Sequence, residues 1–239
     1  MKICVPSSNR SKTCTTNKTI SSAIFFVPKS QFDDYRAAIK NQIVAVPEKY
    51  NGITKTRNYI LNYFKNEYIV FIDDDVRQCG YYTEGKMISL IDQQFTKFWE
   101  EIFQKNFELC DGLGFKIWGC ESSTSNFANH PLQPFSFKSI ITCNLMGIIN
   151  NTDLFFDETF EVKEDYEILL RHYKKYGGHL KTRQFYWANK HLDNAGGCVE
   201  YRTDYMEEKA IALLKKRYGG MVVESTHTKN KNQISIKWG

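Results

Sequence analysis

Short apolar runs alternate with an amphipathic stretch in the first part of the chain. The apolar runs are Lys2–Val5, Ser22–Val27 and Asn41–Val46, and each is predicted to be a β-strand. Between the second and third runs, Gln31–Lys40 has the pattern of an amphipathic helix. Strands that alternate with helices are typical of βαβ units, so this region predicts a layered α/β fold.

The pattern then leads to a strand that ends in three acidic residues. Ile53–Asn66 has apolar residues at helical spacing, and Tyr68–Ile72 follows as a run rich in β-forming residues. Aspartates at positions 73–75 stop that strand. Further along, Met87–Leu109 carries apolar residues on one helical face, which predicts a long helix covering a sheet.

The second half of the chain continues the alternation of strands and helices. Predicted strands lie in Gly112–Trp118, Phe137–Ile149, Leu180–Trp187 and Gln233–Trp238. Predicted helices are Phe160–Tyr176 and Thr203–Tyr218. Polar segments at Glu121–Asn129 and His191–Gly197 are predicted loops. Together these elements predict one α/β domain over residues 1–239.

The composition argues against a disordered, membrane-spanning or disulfide-stapled chain. Of the 239 residues, 42% are hydrophobic and 15% are aromatic, which is a globular composition. The amino terminus becomes polar at once and no window approaches 18 apolar residues, so we expect neither a signal peptide nor a membrane span. Seven cysteines without a C-x-x-C pair favour reduced thiols, and we expect a soluble, cytoplasmic protein with no obligate protein partner.

The net charge of +5 suits phosphate-bearing partners without identifying one. Basic residues crowd the last third of the chain, at Lys209, Lys215, Lys216, Arg217, Lys229, Lys231 and Lys237. A run of this kind is usually a solvated face, so charge alone does not predict nucleic-acid binding.

The aspartate triplet at 73–75 is the main candidate for chemistry. Consecutive carboxylates after a buried strand repel one another, so a counter-ion is needed to offset the cost. Mg²⁺ or Mn²⁺ would serve, because hard oxygen ligands suit both ions and a nucleotide diphosphate can complete the coordination. The alternative is a solvated acidic turn, and strands that end in acids also occur in phosphatases and polymerases. The triplet predicts a metal site but does not fix the reaction.

A second acidic motif, Glu164-Asp165, lies about 90 residues later at the start of a predicted helix. Carboxylates in a first helical turn are stabilised by the helix dipole, so simple capping is one interpretation. The other interpretation is a general base that removes the proton of an attacking hydroxyl.

Three cationic or titratable residues are candidates for phosphate contact. Arg57 lies early in the helix before the acidic strand, and Arg10 follows Pro6-Ser7 in the loop after the first strand. Either arginine can bind a diphosphate or can simply cover the core with its aliphatic part. His227, near the carboxyl end, is a candidate for contact with the metal or the phosphate, although a lone histidine is often uninvolved.

In this order, Tyr68–Asp75, Glu164-Asp165 and His227 resemble the signature of GT-A glycosyltransferases, a DxD-type motif, an ED motif and a late histidine. The resemblance implies a GT-A-like, Rossmann-like mixed sheet, mostly parallel and flanked by helices. It implies a nucleotide-sugar-binding half at 1–110 and an acceptor-binding half at 111–239. All three positions after Ile72 are aspartate, so the pair that acts as DxD stays open.

The resemblance also implies roles for individual residues. The catalytic residues would be Asp165, as the base of an inverting displacement, and Glu164. The metal ligands would be Asp73, Asp75 and His227, holding Mn²⁺ or Mg²⁺. The contacts to the nucleotide sugar would be Pro6, Ser7, Arg10, Arg57, Asp73, Asp74 and Lys229.

A narrower resemblance connects the chain to the TET-associated glycosyltransferases, mainly phage enzymes that act on hydroxymethylated pyrimidines in DNA. The similar segments are Val5-Pro6-Ser7-x-x-Arg10, Gly52-Ile53-x-x-x-Arg57-Asn58, the triplet, and Asn189-Lys190-x-x-x-Asn194-x-Gly196-Gly197-Cys198. This resemblance implies transfer of glucose from a UDP-sugar to the hydroxyl of a 5-hydroxymethylpyrimidine. The acceptor contacts would be Gly196, Gly197 and Trp187. The resemblance also implies that the protein acts in the cytosol of an infected bacterium.

Two other functions agree with the sequence. A GT-A glycosyltransferase could use a polysaccharide, lipid or protein acceptor, since the acidic motifs do not name the acceptor. A non-catalytic nucleic-acid-binding module would also explain the basic excess, and it would bind DNA without metal or nucleotide sugar.

Overall fold

A central sheet of ten strands organises the fold in this computed structural model, which describes residues 1–83, 85–122, 133–151, 154–189, 202–225 and 233–239. The first half supplies strands β1 (Lys2–Pro6), β2 (Ile24–Pro28), β3 (Gln42–Val46) and β4 (Tyr68–Ile72), with helices α1 (Phe32–Ala38) and α2 (Ile53–Tyr63). These four strands are parallel, in the order β3-β2-β1-β4. Crossover helices cover parallel sheets, which explains why β1, β2 and β4 are nearly continuous apolar runs.

The second half extends the same sheet. Its strands are β5 (Val76–Thr83), β6 (Lys86–Ser89), β7 (Ile117–Glu121), β8 (Phe135–Ser136), β9 (Leu145–Ile149) and β10 (Leu180–Asn189). Its helices are α3 (Thr96–Gly112), α4 (Glu164–Tyr176) and α5 (Asp204–Tyr218). Beyond β4 the order is β9-β7-β10-β5-β6, and β8 pairs with β10. Strands β11 (Val222–Glu224) and β12 (Ile234–Ile236) form a separate antiparallel pair.

Strand direction places four strand ends at one edge of the sheet. Seven of the ten strands run in the same direction, and β5, β8 and β9 run against them. The carboxyl ends of β1, β4, β7 and β10 therefore lie at the same edge. The predicted mixed, mostly parallel α/β sheet is confirmed.

Each face of the sheet carries an apolar core. One core includes Trp99, Phe103 and Phe107 of α3, all fully buried against the sheet. The other packs α2 and α4 on the opposite face, with Leu61 and Leu169 fully buried. A smaller cluster joins α4 to α5. The helices that carry the acidic and basic site residues are thus anchored by packing.

Several predicted elements differ from the structure. The helix predicted at Met87–Leu109 is wrong at its start, because Lys86–Ser89 is a strand that pairs with β5 and the helix begins at Thr96. The strand predicted from Gly112 begins at Ile117, since Gly112 still belongs to α3. Cross-strand pairing in the β5–β6 hairpin overrides the local helical spacing in the first case. Among the described helices, none has both the length and the apolar character that crossing a membrane requires.

Candidate active site

The aspartate triplet leaves β4 at the shared edge of the sheet, and the loop after β1 holds its backbone. The Thr16 hydroxyl donates to the Asp73 carbonyl at 2.6 Å, and the Thr15 hydroxyl donates to the Val76 carbonyl at 2.5 Å. The Thr15 N–H donates to the Asp74 carbonyl at 2.9 Å. The turn that carries the three carboxylates is therefore fixed by neighbouring backbone and side chains.

Asp74 is the most enclosed of the three aspartates. Arg10 Nη1 donates to its Oδ1 at 2.7 Å, and the Ser7 hydroxyl donates to its Oδ2. Tyr35 shares a 2.6 Å hydrogen bond with the Ser7 hydroxyl. Burial raises the pKa of Asp74, while Arg10 and Ser7 oppose the rise. Only 6% of the Asp74 side chain is exposed, and it anchors the β1 loop through Ser7 and Arg10. Its predicted contact with the nucleotide sugar stays a prediction.

Asp73 and Asp75 are more accessible. The Asp73 side chain is 30% exposed, and it accepts hydrogen bonds from Arg57 Nη2 at 3.3 Å and Asn189 Nδ2 at 3.1 Å. Asp75 accepts from Arg10 Nη1 at 3.0 Å. Burial raises the pKa of Asp73 to about 7, Arg57 opposes the rise, and Asp75 adds to it. The Asp75 side chain is 12% exposed, so Asp73 and Asp75 are the more exposed two of the triplet, while the assignment of the DxD pair stays a prediction.

Arg57 joins the two acidic motifs. Its Nη1 donates to Glu164 Oε1, and its Nη2 reaches Asp73 Oδ1 at 3.3 Å. Only 4% of its side chain is exposed, and its guanidinium lies over the Phe156 ring at 5.6 Å. The structure thus brings together residues from β4, α2 and α4, and the predicted diphosphate ligand Arg57 is a bridge between carboxylates.

Asp165 lies in the first turn of α4, beside Glu164. It is half-buried, and its Oδ1 accepts from the Tyr166 N–H at 2.9 Å. Burial raises the pKa of Asp165 and Glu164 adds to the rise, whereas Arg57 and Lys163 oppose it. A carboxylate with a raised pKa is better matched to proton transfer near neutral pH than an ordinary aspartate.

The residues present fit a divalent cation in part. Asp73 and Asp75 supply hard oxygen ligands, and a cation would offset the carboxylate repulsion that helps raise the pKa of Asp73. Within the described ranges, no group of three or more His, Cys, Asp or Glu side chains is arranged to hold a metal ion. A cation held by these two aspartates would need further ligands, which a diphosphate can supply.

Some predicted site residues lie elsewhere. Trp187 is fully buried, with its ring centroid 4.8 Å from that of Trp99 and 5.8 Å from that of Phe103. With no exposed surface, the Trp187 side chain packs against α3, which counts against its predicted contact with the acceptor. Pro6 is buried at the end of β1. Gly196, Gly197, His227 and Lys229 lie outside the described residues, so their roles stay predictions.

Asn189 is a site residue that the predicted roles missed. It is the last residue of β10, and its side chain reaches Asp73 from the second half of the chain. A polar residue at the carboxyl end of a parallel strand is a recognisable signal, since ligands of α/β sheets bind at that edge. The sequence offered no comparable signal for Tyr35, which acts on Asp74 through Ser7.

Comparisons with known proteins agree with this geometry. The family model described as TET-Associated Glycosyltransferase matches residues 1–197. No curated protein sequence matches the chain.

Solved structures share the fold at low identity. Glucosyl-3-phosphoglycerate synthase from Mycobacterium tuberculosis, in complex with Mn²⁺, UDP and glucosyl-3-phosphoglycerate, has a TM-score of 0.52 at 13% identity, covering 99% of this chain and 86% of that one. S. aureus TarS 1-349 with UDP-GlcNAc has a TM-score of 0.51 at 11% identity, covering 90% and 67%. In the structure of TarS 1-349 alone, the match spans 60% of the TarS chain. These likenesses show a fold shared with GT-A glycosyltransferases.

Proposed function

The chain belongs to the TET-associated glycosyltransferase family, and from that premise we propose that it transfers glucose from UDP-glucose to a 5-hydroxymethylpyrimidine in DNA. The Arg57 bridge carries the proposal, because it joins Asp73 of the donor motif to Glu164 of the catalytic motif. A glycosyltransferase needs these two acidic sets at one place, one for the leaving diphosphate and one for the attacking hydroxyl.

The donor end of the site is assigned to the triplet and its neighbours. Asp73 and Asp75 would hold Mn²⁺ or Mg²⁺, with His227 as a further ligand. The positive charge of the ion would stabilise the negative charge of the leaving diphosphate. The glucosyl-3-phosphoglycerate synthase structure holds Mn²⁺ and UDP, and the TarS 1-349 structure holds UDP-GlcNAc, which supports a UDP-sugar donor. Arg10 and Arg57 are positioned to orient these carboxylates. Lys229 is assigned to the donor phosphate.

The reaction proposed at this site is a single inverting displacement. The acceptor hydroxyl oxygen forms a bond to the anomeric carbon, while the bond from that carbon to the diphosphate oxygen breaks and its electron pair leaves with UDP. Asp165 takes the hydroxyl proton, and its raised pKa suits that task. Glu164 holds Arg57 and keeps the two halves of the site together.

The acceptor is assigned to the second half of the chain. Residues 1–110 would bind the nucleotide sugar, and residues 111–239 would bind the pyrimidine, with Gly196 and Gly197 allowing close backbone approach. A base in a duplex must be exposed or flipped before its hydroxymethyl group can reach Asp165, at a cost of a few kcal/mol. Stacking contacts would have to come from residues other than Trp187, which is buried in the core.

The test is a transfer assay with analysis of the nucleosides by mass spectrometry. The protein is incubated with UDP-glucose, Mn²⁺ and duplexes that contain 5-hydroxymethylcytosine, 5-hydroxymethyluracil or no modified base. We expect a hexosyl nucleoside only from a hydroxymethylated duplex, and at least roughly 100-fold less product with Asp165→Asn. Transfer from another UDP-sugar alone would replace glucose in the proposal.

The outcome for DNA decides between acceptor classes. Absence of transfer to every duplex, together with metal-dependent transfer to a polysaccharide, lipid or protein, would reject the DNA acceptor and keep the glycosyltransferase. Salt-sensitive DNA binding without any response to metal or nucleotide sugar would reject the enzymatic proposal itself.

A further inference from the structure

A buried ion pair lies directly beside the proposed general base. Lys163 precedes Glu164-Asp165, and its Nζ is 2.9 Å from Glu207 Oε2 on α5. Of the two side chains, 7% of Lys163 and 5% of Glu207 is exposed. Arg202 Nε donates to the other Glu207 oxygen. One carboxylate of α5 therefore connects the start of α4 to the chain that enters α5.

The backbone at Lys163 makes this pair unusual. Lys163 has φ 59° and ψ 24°, a left-handed conformation that residues other than glycine seldom adopt. Its carbonyl accepts the Glu167 N–H at 3.2 Å and so begins α4. Glycine would adopt this conformation more easily, and local backbone preference therefore does not explain a lysine here. The buried contact with Glu207 does.

We propose that Glu207 is a positioning residue for Asp165, acting through the buried ammonium of Lys163. The inference rests on the proposed role of Asp165 as general base. Glu207 fixes the turn that presents Asp165, and its negative charge limits the effect of the Lys163 charge on Asp165. Arg202 binds the same Glu207 carboxylate, and it follows in sequence the predicted acceptor segment that contains Gly196 and Gly197.

The charge environment of Asp165 gives the proposal two opposite consequences. Among the residues that the structure describes, the charged and titratable groups that interact with Asp165 are Lys163, Glu164, Tyr166, Arg57 and Cys143. Glu207→Gln keeps the shape of the side chain but leaves the Lys163 charge uncompensated, which should lower the pKa of Asp165. Lys163→Met removes that positive charge and should raise the pKa. A merely structural role would not move the pKa in opposite directions.

Glu167 offers a matched control on the same helix. It is as buried as Glu207, and it accepts hydrogen bonds from Arg171 and Tyr218 while lying 3.6 Å from Arg217. Glu167→Gln therefore removes a buried carboxylate charge between α4 and α5 without changing the side-chain pair of Lys163 and Glu207. This variant therefore shows how the loss of a buried charge between α4 and α5 affects kcat and the Asp165 titration when the Lys163–Glu207 pair is intact.

The experiment compares the wild-type protein with Glu207→Gln, Lys163→Met and Glu167→Gln. Transfer at saturating donor gives kcat, calorimetry with UDP-glucose and Mn²⁺ gives donor affinity, and carboxyl ¹³C resonances follow the Asp165 titration without requiring turnover. Asp165→Asn assigns its resonance. We expect Glu207→Gln to lower kcat at least roughly 10-fold with donor Kd within about twofold, because a misplaced catalytic group costs rate more than binding.

The titration keeps this proposal separate from the proposed function. Opposite shifts of the Asp165 midpoint in Glu207→Gln and Lys163→Met, with none in Glu167→Gln, would support the positioning role even if no acceptor were glycosylated. Unmoved midpoints would overturn it, as would a kcat loss in Glu207→Gln no larger than in Glu167→Gln. Wild-type protein without sugar transfer would instead contradict the proposed function.

Discussion

Asp74 and Asp75 are adjacent in sequence, yet their side chains have different environments. Both oxygens of Asp74 are engaged by Arg10 and Ser7, whereas the Asp75 Oδ2 accepts from Arg10. Asp74→Ala should remove one of the two carboxylates that pair with the buried Arg10 guanidinium. Breaking a buried ion pair costs about 3–5 kcal/mol. We therefore expect the Tm to fall by roughly 10 °C for a chain of this size.

Asp75→Ala is the matched variant. It leaves the Arg10–Asp74 pair in place, so we expect a smaller loss of Tm but no Mn²⁺-dependent stabilisation by UDP-glucose. Differential scanning fluorimetry measures both effects in one series. If Asp74→Ala lost metal-dependent donor binding at full stability while Asp75→Ala kept it, Asp74 would be the metal ligand and Asp75 the structural residue.

The sequence predicted which residues form the site better than it predicted the surroundings of their side chains. The triplet and Glu164 were predicted at one site, and Arg57 links them. The different environments of Asp74 and Asp75 depend on Ser7 and Arg10, which are more than 60 residues away in sequence. The burial of Trp187 could not be predicted, because the apolar pattern of a strand in a layered sheet does not distinguish a core side chain from one at a site.

At the scale of elements, the strands of the first half follow their apolar runs closely, and Tyr68–Ile72 was predicted to the residue. The hairpin of β5 and β6 was not predicted. Its residues pair across a turn at Gly85, with Gly80 opposite Ser89, and exposed polar residues dilute its apolar pattern. Cross-strand pairing determines such a segment, and pairing is not visible in local periodicity.

Two buried histidines, His172 in α4 and His179 just before β10, make this region a source of acid sensitivity. Burial lowers the pKa of His172 to about 3 and that of His179 to about 4. The Lys116 N–H donates to His172 Nε2 at 3.0 Å, an interaction that needs the neutral ring. Unfolded histidine titrates near 6.5, so the unfolded state binds more protons below that pH and the unfolding free energy falls as pH drops.

This loss of unfolding free energy is measurable by thermal unfolding at pH values between 7.5 and 5. Each histidine should contribute about 2 kcal/mol of destabilisation at pH ~5, or a fall in Tm of roughly 10 °C for the pair. His172→Gln removes one of the two titrating groups. Its own Tm should therefore change by less between the two pH values, whatever its starting stability. An unchanged pH response in this variant would contradict the assignment.

Gly147 is a packing requirement of the central sheet. It lies in β9, opposite Trp118 of β7 and Val70 of β4, and a Cβ there would be 2.0 Å from Trp118 Nε1. The Trp118 side chain is fully buried, so it has little room to move. Overpacking of a core costs about 1–3 kcal/mol, and we expect Gly147→Ala to lower the Tm by roughly 5 °C.

Gly112→Ala is the control for this substitution. A Cβ at Gly112, the last residue of α3, meets no described atom within 4 Å beyond its chain neighbours and the backbone of its own helix. Alanine there should leave the Tm unchanged or raise it slightly, because glycine has more freedom to lose on folding. Equal Tm values for the two variants in calorimetry would show that the sheet relaxes around position 147.

At the scale of the whole molecule, the site lies where the two halves of the chain meet. Arg57 from the first half contacts Glu164 of the second, and Asn189 from the second contacts Asp73 of the first. The donor carboxylates are thus held partly by the half assigned to the acceptor. Binding of donor and metal should consequently stabilise the fold as a unit and not the first half alone.

A panel of nucleotide sugars tests that expectation. A ligand at about 100 times its Kd stabilises the native state by about 2.7 kcal/mol. For a chain of this length, that corresponds to a rise in Tm of roughly 5–10 °C. We expect UDP-glucose with Mn²⁺ to give such a rise in a single unfolding transition.

Metal dependence and donor specificity are the informative parts of that measurement. EDTA should abolish the rise, because the diphosphate would then face the carboxylates of Asp73 and Asp75 without a cation between them. Mn²⁺ alone or UDP-glucose alone should shift the Tm by less than the two together. A rise of equal size with GDP- and ADP-sugars would contradict a UDP-specific donor site. A rise that survives EDTA would remove the metal from the proposed function while leaving the glycosyltransferase family and the Arg57 bridge unaffected.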